Sequence, residues 1–395
     1  MNMFRENRNL LIIAIVAVVN ALGYGIVIPV LYSYSVRYGL SDFQNGLLFS
    51  VFSICQFAST PIIGRMSDKY GRRPLLIISI LGTALSFLLM AFAPSAIFLF
   101  LARALDGITA GNLPVAAAVI SDTTTEEHRA KGFGIIGASF GFGFIFGPAI
   151  SGATVDISPS LPFIIASVVS FIAVVICLFF LPETNKHMGE VRKGRLFDFS
   201  HLLHALFAKN IGPVLLISLF YFTAFGTFIY AFQPFSVKGL HLSVQHISFL
   251  FTVIGCLGLF SQIVLLPRAT KMFGVKKTLC GFLSIITIAC LGIFFSPNVV
   301  IFIGFTLLFG LFNSTVMPLV QTVLSEETDA KSQGTIQGLN SSYMSIGQII
   351  GPIAGGALAT FMISLPFLLT SFCVFICLLL SFKVLRRETK KESAF

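Results

Sequence analysis

The chain has 395 residues, of which 56% are hydrophobic and only 11% are charged, and its formal net charge is +10. A water-soluble domain of this size needs far more polar surface, so the composition excludes an ordinary soluble enzyme or binding module. Apolar runs of about 20 residues recur along the whole length, which is typical of membrane-spanning helices. The first run is too long for the apolar core of a signal peptide.

The sequence predicts an all-α membrane protein with twelve transmembrane helices. The predicted helices lie roughly at 9–32, 42–63, 75–93, 97–120, 133–155, 161–181, 211–236, 245–266, 278–295, 299–324, 335–359 and 362–382. The seven cysteines all fall within these segments. We interpret them as small core residues, and we expect no metal site.

Basic residues collect on one side of the predicted bilayer. All but three of the 26 Lys and Arg fall in the two tails or in every second connection, and the exceptions are Arg37, Arg103 and Lys238. Cytoplasmic connections carry an excess of Lys and Arg. We therefore expect both termini to be cytoplasmic and the protein to lie in a bacterial inner membrane. Topology then explains the positive charge, which favours the lipid bilayer over nucleic acid as the partner.

The two halves of the chain repeat each other at a nearly constant offset. The stretch "PVAAAVISDTT" from Pro114 matches "PLVQTVLSEET" from Pro318, and "GPAISG" from Gly147 matches "GPIAGG" from Gly351. A duplicated set of six helices gives two bundles related by an axis along the membrane normal. We predict one six-helix bundle over 1–181, a cytoplasmic linker over 182–210, and a second six-helix bundle with a short tail over 211–395.

The linker contains the stretch "FSHLLHALF". Its apolar residues recur at helical spacing, and they are Phe199, Leu202, Leu203, Leu206 and Phe207. This pattern predicts a short amphipathic helix lying on the inner leaflet. A helix that binds a calmodulin-like partner is the alternative.

The connection between the second and third helices reads "GRMSDKYGRRP". Its two glycines, Gly64 and Gly71, are expected to turn a short loop tightly. The corresponding connection of the second half has Lys271 where this one has Asp68. We therefore expect Asp68 to latch one half to the other, and simple decoration of a basic loop is the alternative.

The fifth helix carries "GFGFIFGPAISG", and the eleventh helix repeats this composition. Gly143, Gly147 and Gly152 present a small-residue face that allows close helix packing, and Pro148 bends the helix. Two interpretations remain open, which are helix packing alone and a bendable seam between the two halves.

The fourth helix contains "ARALDGITAGNLP", with Arg103 and Asp106 one helical turn apart. An ionised side chain at mid-membrane costs roughly 3 kcal/mol, and a pair at this spacing can offset each other's charge. A purely structural pair is one interpretation. A proton carrier is the other, because Asp106 is the only acid within an apolar segment and the repeat positions hold Leu307 and Gly310.

These motifs resemble those of the major facilitator superfamily, and within it the drug:proton antiporter group with twelve helices. The resemblance covers essentially the whole chain, and the stretch from "GITAGNLP" to "GFIFGP" is similar to the tetracycline-exporter branch. It implies the major facilitator fold, a monomer, and a proton gradient as energy source with no bound cofactor. Helices 1, 3 and 9 lack the acids that many tetracycline exporters carry there, so the resemblance leaves the substrate open.

The resemblance also implies roles for individual residues. Asp68 is expected near Ser332–Gly334, Arg72 is expected to pair with Asp122, and Arg103 is expected to assist changes in protonation. The gating motif comprises Gly64, Asp68, Gly71, Arg72, Arg73 and Asp122. The antiporter motif comprises Gly143, Gly147, Pro148 and Gly152.

The implied substrate cavity lies between the first, fourth, seventh and tenth helices. Besides Arg103 and Asp106, its polar candidates are Asn20, Tyr24, Gln56, Asn112, Tyr230, Gln233, Asn313, Gln337 and Asn340. The 44 phenylalanines suit an aromatic substrate, but we interpret them mainly as lipid-facing.

We interpret the chain as a secondary active transporter, a proton-coupled antiporter that exports small apolar or amphipathic compounds by alternating access. A carrier of an endogenous metabolite, such as a siderophore, nucleoside, sugar or amino acid, is the main alternative. A non-transporting sensor is a further one. An enzyme is not expected, because the sequence offers no nucleophile–base pair, metal cluster or phosphate-binding loop.

Overall fold

The computed structural model describes the backbone of residues 2–124, 126–185, 189, 199–208, 210–328 and 332–392. It also describes their side chains, except at 2–7, 112, 113, 126–133, 135, 199–201 and 387–392. Helices are the regular elements of these ranges. They are α1 (Asn2–Val36), α2 (Asp42–Tyr70), α3 (Arg72–Ala91), α4 (Ala96–Thr109), α5 (Asn112–Thr123), α6 (Glu126–Thr154), α7 (Leu161–Phe180), α8 (Phe199–Phe207), α9 (Gly212–Pro234), α10 (Val244–Phe260), α11 (Leu266–Phe273), α12 (Val275–Phe294), α13 (Val299–Glu326), α14 (Gln333–Ala359) and α15 (Leu365–Glu392).

Eleven helical stretches in the described residues are long and apolar enough to cross a membrane. Three of them join neighbouring elements, namely α4 with α5, α9 with the π-helical turn Phe235–Gly239, and α10 with α11 through the π-helical turn Ser261–Leu265. The long helix α14, rich in Gly, Ser and Gln, is the twelfth. The all-α, twelve-helix membrane fold expected from the sequence is confirmed.

The chain forms two compact units. Unit 1 comprises Met1–Ser41, Val51–Leu196 and Ser243–Thr252, and unit 2 comprises Asp42–Ser50, Phe197–Leu242 and Val253–Phe395. The first residues of α2 therefore belong to unit 2, and the first residues of its repeat counterpart α10 belong to unit 1. The bundle boundaries that we read from the sequence do not anticipate this exchange of two helix ends.

In unit 1, the glycine face of α6 packs directly on α1. A Cβ added at Gly143 would meet the backbone of Ala21, and one added at Gly147 would meet the backbone of Gly25. This close approach requires glycine at both positions. Both therefore pack within their own unit, which agrees with the interpretation as helix packing, and the alternative of a bendable seam between the halves stays a prediction.

Unit 2 repeats this arrangement between α14 and α9. Cβ atoms added at Gly347 and Gly351 would meet the α9 backbone at Leu219 and Thr223, and the Thr227 hydroxyl donates to the Gly351 carbonyl at 3.0 Å. The duplicated glycine motif thus has the same packing role in each half.

The interior of unit 2 also contains a phenylalanine cluster. The rings of Phe228 and Phe309 stack with their centroids 3.8 Å apart. Their neighbours in the cluster are Phe232, Phe235, Phe302 and Phe367. All six side chains are buried, so this group is core, unlike the lipid-facing majority that we expected.

The fourth predicted helix is broken into two. Helix α4 ends at Thr109 and α5 begins at Asn112, with a turn at residues 110 and 111. Pro114 has no backbone N–H to donate to the carbonyl of Ala110, and its ring crowds that carbonyl. The single helix predicted over 97–120 is therefore wrong, because the helix is interrupted about one turn before the proline.

The α2–α3 connection is shorter than the expected loop. Helix α2 continues to Tyr70 and α3 begins at Arg72, so Gly71 alone makes the turn, with a φ of 104°. Gly274 makes the corresponding turn of unit 2 with a φ of 79°. The expectation that Gly64 also turns the chain was wrong, since it lies inside α2 with open space around it.

The linker holds α8 where its apolar stripe predicts a helix. Leu203 and Phe207 are exposed on it, and Ala205 is buried. The Tyr343 hydroxyl of α14 donates to the Leu202 carbonyl at 2.6 Å, which fixes α8 to unit 2. Residues 186–188, 190–198 and 209 of the linker lie outside the described residues.

Substitutions at Gly71 and Gly64 are expected to change stability in opposite directions. At Gly71 a side chain meets both an unfavourable φ and the Glu183 carboxylate, so Gly71→Ala should destabilise the protein by about 1–3 kcal/mol. At Gly64 the helix is unobstructed, so Gly64→Ala should stabilise it by about 0.5–1 kcal/mol. Thermal unfolding of the purified protein in detergent measures both. A Gly71→Ala protein as stable as the parent would contradict the described turn.

Candidate functional site

The centre of unit 1 contains a buried ion pair on α4. Arg103 Nη1 lies 3.0 Å from Asp106 Oδ2, and only 4% and 10% of the two side chains are exposed. The two residues are one helical turn apart, so the helix itself brings them together. The pairing expected from the sequence is therefore present.

Polar and aromatic side chains of three other helices surround the pair. The hydroxyls of Thr83 and Ser86 on α3 lie close enough to the Asp106 carboxylate to interact with it. The Phe52 ring of α2 lies under the Arg103 guanidinium, 4.4 Å from its Cζ, where a cation is attracted by the face of the ring. Tyr24 of α1 is close enough to interact electrostatically with Arg103. The carboxylate thus has the guanidinium as its donor and polar neighbours on α3, while the guanidinium keeps one buried nitrogen, Nε, without a hydrogen-bond partner.

Close packing against α2 fixes the position of α4. A Cβ added at Gly107 would meet the carbonyl of Phe52 and the side chain of Cys55, so only glycine lets α4 approach α2 here. The Ser59 hydroxyl of α2 donates to the Gly107 carbonyl at 3.2 Å. The ion pair therefore sits beside the tightest α2–α4 contact.

The corresponding place in unit 2 is apolar. The side chain of Ile254 packs where a Cβ at Gly310 would point, and Leu307 replaces the arginine. The repeat thus keeps a close helix contact at this place in both halves, but only unit 1 has ionisable side chains there. An acid that can be charged or neutral, beside a fixed cation, is chemically suited to take up and release a proton.

A second cluster lies at the α2–α3 turn of unit 1. The Arg72 guanidinium contacts Asp68 at 2.5 Å, Asp122 at 3.2 Å and the Ser67 hydroxyl at 2.6 Å. The Arg72–Asp122 pair implied by the resemblance is therefore present in the structure. The expected place of Asp68 near Ser332–Gly334 stays a prediction.

The sequence analysis missed Glu183 in this cluster. Its carboxylate accepts the backbone N–H groups of Arg72 and Arg73 at 2.9 and 3.1 Å, which caps the start of α3. The Asn185 amide donates to the Asp68 carbonyl at 2.9 Å, and the Arg73 guanidinium donates to the Leu178 carbonyl at 2.5 Å. A carboxylate at a helix N-terminus is favourable, but a cap from so far along the chain leaves no local sequence signal.

The cavity candidates of unit 1 are only partly characterised. Asn20, Tyr24 and Gln56 are half-buried, and the Asn20 amide donates to the Val16 carbonyl of its own helix at 3.1 Å. The side chain of Asn112 lies outside the described part of the chain. Tyr24 adjoins the ion pair.

The candidates of unit 2 divide into two groups. Tyr230 and Gln233 are completely buried, and the Tyr230 hydroxyl donates to the Asp42 carbonyl at 2.7 Å. They belong to the helix core in the described structure, and their place in a substrate cavity stays a prediction. Gln337 is half-buried near the start of α14.

Asn313 and Asn340 are bound by α9 residues that the sequence analysis did not select. The Tyr221 hydroxyl donates to Asn313 Oδ1 at 2.7 Å, and the Ser218 hydroxyl donates to Asn340 Oδ1 at 2.5 Å. These neutral pairs join α9 to α13 and α14. Among the described residues, no group of three or more His, Cys, Asp or Glu side chains could hold a metal ion.

Removal of the α3 cap should weaken unit 1. Glu183→Ala leaves two backbone N–H groups without their acceptor, and we expect a loss of about 1–2 kcal/mol in unfolding free energy. Asp156→Ala is the matched control, because Asp156 is exposed in the turn after α6 and should change stability by less than about 0.5 kcal/mol. Thermal unfolding measures both variants. Equal stability of the two would contradict the role of Glu183 as the cap of α3.

The comparisons with known proteins agree with this architecture. The model of the Major Facilitator Superfamily matches residues 13–272 and 214–395. The tetracycline resistance protein, class B, of Escherichia coli is 31% identical over 353 residues, which cover 88% of this chain and 87% of that protein. Multidrug resistance protein 2 of Bacillus subtilis (strain 168) is 28% identical over 395 residues, which cover 94% of each.

The fold also matches solved transporter structures. A bacterial homologue of the human lysosomal transporter Spinster superposes with a TM-score of 0.78 over 95% of this chain and 96% of that chain, at 16% sequence identity. At that identity the likeness shows the fold alone. Together with the family match over almost the whole sequence, it shows that the chain belongs to the major facilitator superfamily.

Proposed function

We propose that this membrane transporter is a secondary active, proton-coupled antiporter of a bacterial inner membrane. It exports small, largely apolar or amphipathic compounds by alternating access. It works as a monomer, needs no bound cofactor and draws its energy from the proton gradient. Both of its termini are cytoplasmic.

The observation that carries this proposal is the buried Asp106. It is held by Arg103 at 3.0 Å within a stretch long and apolar enough to span a membrane. Ionisable groups at lipid depth are costly, and they mark substrate and proton pathways by default. A purely structural brace would serve both halves equally, whereas the repeat places of unit 2 hold Leu307 and Gly310.

The geometry suggests how proton and substrate exchange. When Asp106 is charged, Arg103 and the hydroxyls of Thr83 and Ser86 stabilise it. When Asp106 is protonated, the charge of Arg103 loses its counter-ion, and the pair becomes sensitive to whatever occupies the space beside it. A substrate that changes this balance releases the proton, and release of the substrate allows a new proton to bind. The two then move in opposite directions.

The relatives support the direction and the substrate class. The matched proteins carry the names tetracycline resistance protein and multidrug resistance protein, and resistance of this kind follows from export. The uncharged and aromatic surroundings of the pair suit compounds that partition into lipid. We therefore place tetracyclines and lipophilic dyes first among the substrates to be screened.

A carrier of an anionic metabolite is the second candidate. Arg103 keeps one buried nitrogen, Nε, without a partner, and a guanidinium with an unused donor can bind a carboxylate or phosphate group. In that case Arg103 would bind the substrate directly, and Asp106 would leave the pair as the substrate arrives.

Replacement of Asp106 tests the proton coupling. Asp106→Asn mimics the protonated acid, so it should abolish substrate accumulation driven by a pH gradient and leave downhill exchange in place. Uptake of tetracycline and ethidium into proteoliposomes, with and without an imposed pH gradient, measures the two modes. Asp156→Asn, an exposed acid changed in the same way, should behave as the parent.

The outcomes separate the two candidates. Gradient-driven accumulation by the Asp106→Asn protein would show that the proton is carried elsewhere, with Asp42 and Asp122 next to be tested. Uptake of anionic metabolites that is lost in Arg103→Gln, with no transport of either drug, would replace drug export by metabolite transport.

The proposed topology predicts which connections face outwards. In a variant without native cysteines, a membrane-impermeant maleimide should label Leu240→Cys in intact cells and should label Glu190→Cys only after the cells are opened. The reason is that every second connection carries almost all Lys and Arg, which keeps those connections inside. The opposite labelling pattern would reverse the orientation.

A further inference from the structure

Helix α13 contains a proline that leaves one backbone carbonyl without its helical partner. Pro318 lies inside this 28-residue helix, and proline has no N–H to donate to the carbonyl four residues earlier. That carbonyl belongs to Ser314. At lipid depth no water replaces the missing donor, so the gap must be filled by another part of the protein or the helix must give way.

A side chain of the π-helical turn that follows α10 supplies the missing hydrogen-bond donor. The amide Nε2 of Gln262 donates to the Ser314 carbonyl at 2.9 Å. Gln262 belongs to the π-helical turn Ser261–Leu265. Single π-helical turns inside helices are often found at functional sites. The turn directs the amide of Gln262 onto a neighbouring helix at the position where that helix lacks a donor.

Close packing keeps the two helices in register around this bond. The Ser314 hydroxyl donates to the Gly258 carbonyl at 2.9 Å, and a Cβ added at Gly258 would lie 3.1 Å from the Ser314 Cβ. On α9, the Tyr221 hydroxyl contacts both the carbonyl and the side-chain oxygen of Asn313, at 2.6 and 2.7 Å. Residues 313 and 314 are thus bound by α9 and α10, one turn before the proline.

Unit 1 shows what happens at the matching proline without this donor. Pro114 matches Pro318 in the repeat, and the helix is interrupted there, between α4 and α5. Ser59 stands at the repeat position of Gln262, and its shorter side chain bonds the Gly107 carbonyl instead of that of Ala110. The same proline therefore breaks one helix, while α13 remains a single helix.

We infer that Gln262 is a positioning residue for transport, because its amide replaces the N–H missing at Pro318. It keeps α13 continuous and thereby fixes the amide of Asn313 in unit 2. This role rests on the membership of a transporter superfamily and is independent of proton coupling at Asp106.

A double-mutant cycle tests this role. Gln262→Leu removes the donor and should lower the transport rate per folded molecule about two- to tenfold, the range expected for loss of one hydrogen bond. Pro318→Ala restores a backbone N–H for Ser314. In the Pro318→Ala background, Gln262→Leu should therefore change transport and melting temperature little. Backbone amide exchange over 309–322 should be faster in Gln262→Leu alone and should return to the parent rate in the double variant.

Gln321→Leu is the matched control. Gln321 is an exposed glutamine on α13 itself, so its replacement should show no dependence on residue 318. If Gln262→Leu impairs transport equally in both backgrounds, Gln262 acts by another route and the inference is overturned. Unchanged amide exchange in Gln262→Leu also overturns it. If Pro318→Ala does not transport, the melting temperatures and exchange rates of the four proteins still decide the question.

Discussion

The hydrocarbon core of a membrane offers no water to a polar group, and this constraint governs the placement of polar side chains in this protein. Hydroxyls along the helices bond back to carbonyls of their own helix, as Thr223 does to Leu219 at 2.9 Å. Amides bond across helices, as Asn340 does with Ser218. The buried ion pair of Arg103 and Asp106 neutralises itself within a turn. We therefore look for functional groups where a buried polar group lacks a hydrogen-bond partner, or keeps its partner in only one charge state.

The pair of Arg103 and Asp106 is such a place. Its carboxylate accepts a hydrogen bond from the guanidinium, whereas the guanidinium keeps one buried nitrogen without a partner. Loss of either charge leaves the other unpaired at lipid depth, which costs far more than an exposed ion pair gains. Any event that protonates Asp106 must therefore be accompanied by a new environment for Arg103. In the proposed mechanism, this linkage lets a proton bias the conformation of a helix bundle.

Much of the fold could be predicted from the sequence because its signals are local. Apolar runs indicated the membrane helices, the motif "GRMSDKYGRRP" predicted the turn at Gly71, and one-turn spacing predicted the contact of Arg103 with Asp106. These features depend on residues close together in the chain. The position of Gly64 inside α2 was missed because a glycine permits a turn without requiring one.

The features that could not be predicted depend on distant partners. Glu183 caps a helix that begins 111 residues earlier, and nothing near either residue announces the bond. Tyr230 carries a polar hydroxyl, yet its ring is buried in the core and its hydroxyl donates to a backbone carbonyl. A polar residue in an apolar segment thus indicates either a cavity or a satisfied core position, and only the tertiary partner distinguishes them.

The two matching prolines make the same point within one molecule. Pro114 and Pro318 remove the same hydrogen bond from equivalent helices, and only the helix that faces Gln262 stays whole. Local sequence decides where a helix can break, and a neighbouring helix decides whether it does. The half with the acid has an interrupted helix beside it, and the half without the acid has a continuous one braced by neutral amides. The divergence of the repeats therefore separates a half with a buried ion pair from a half whose corresponding helix is held by neutral hydrogen bonds.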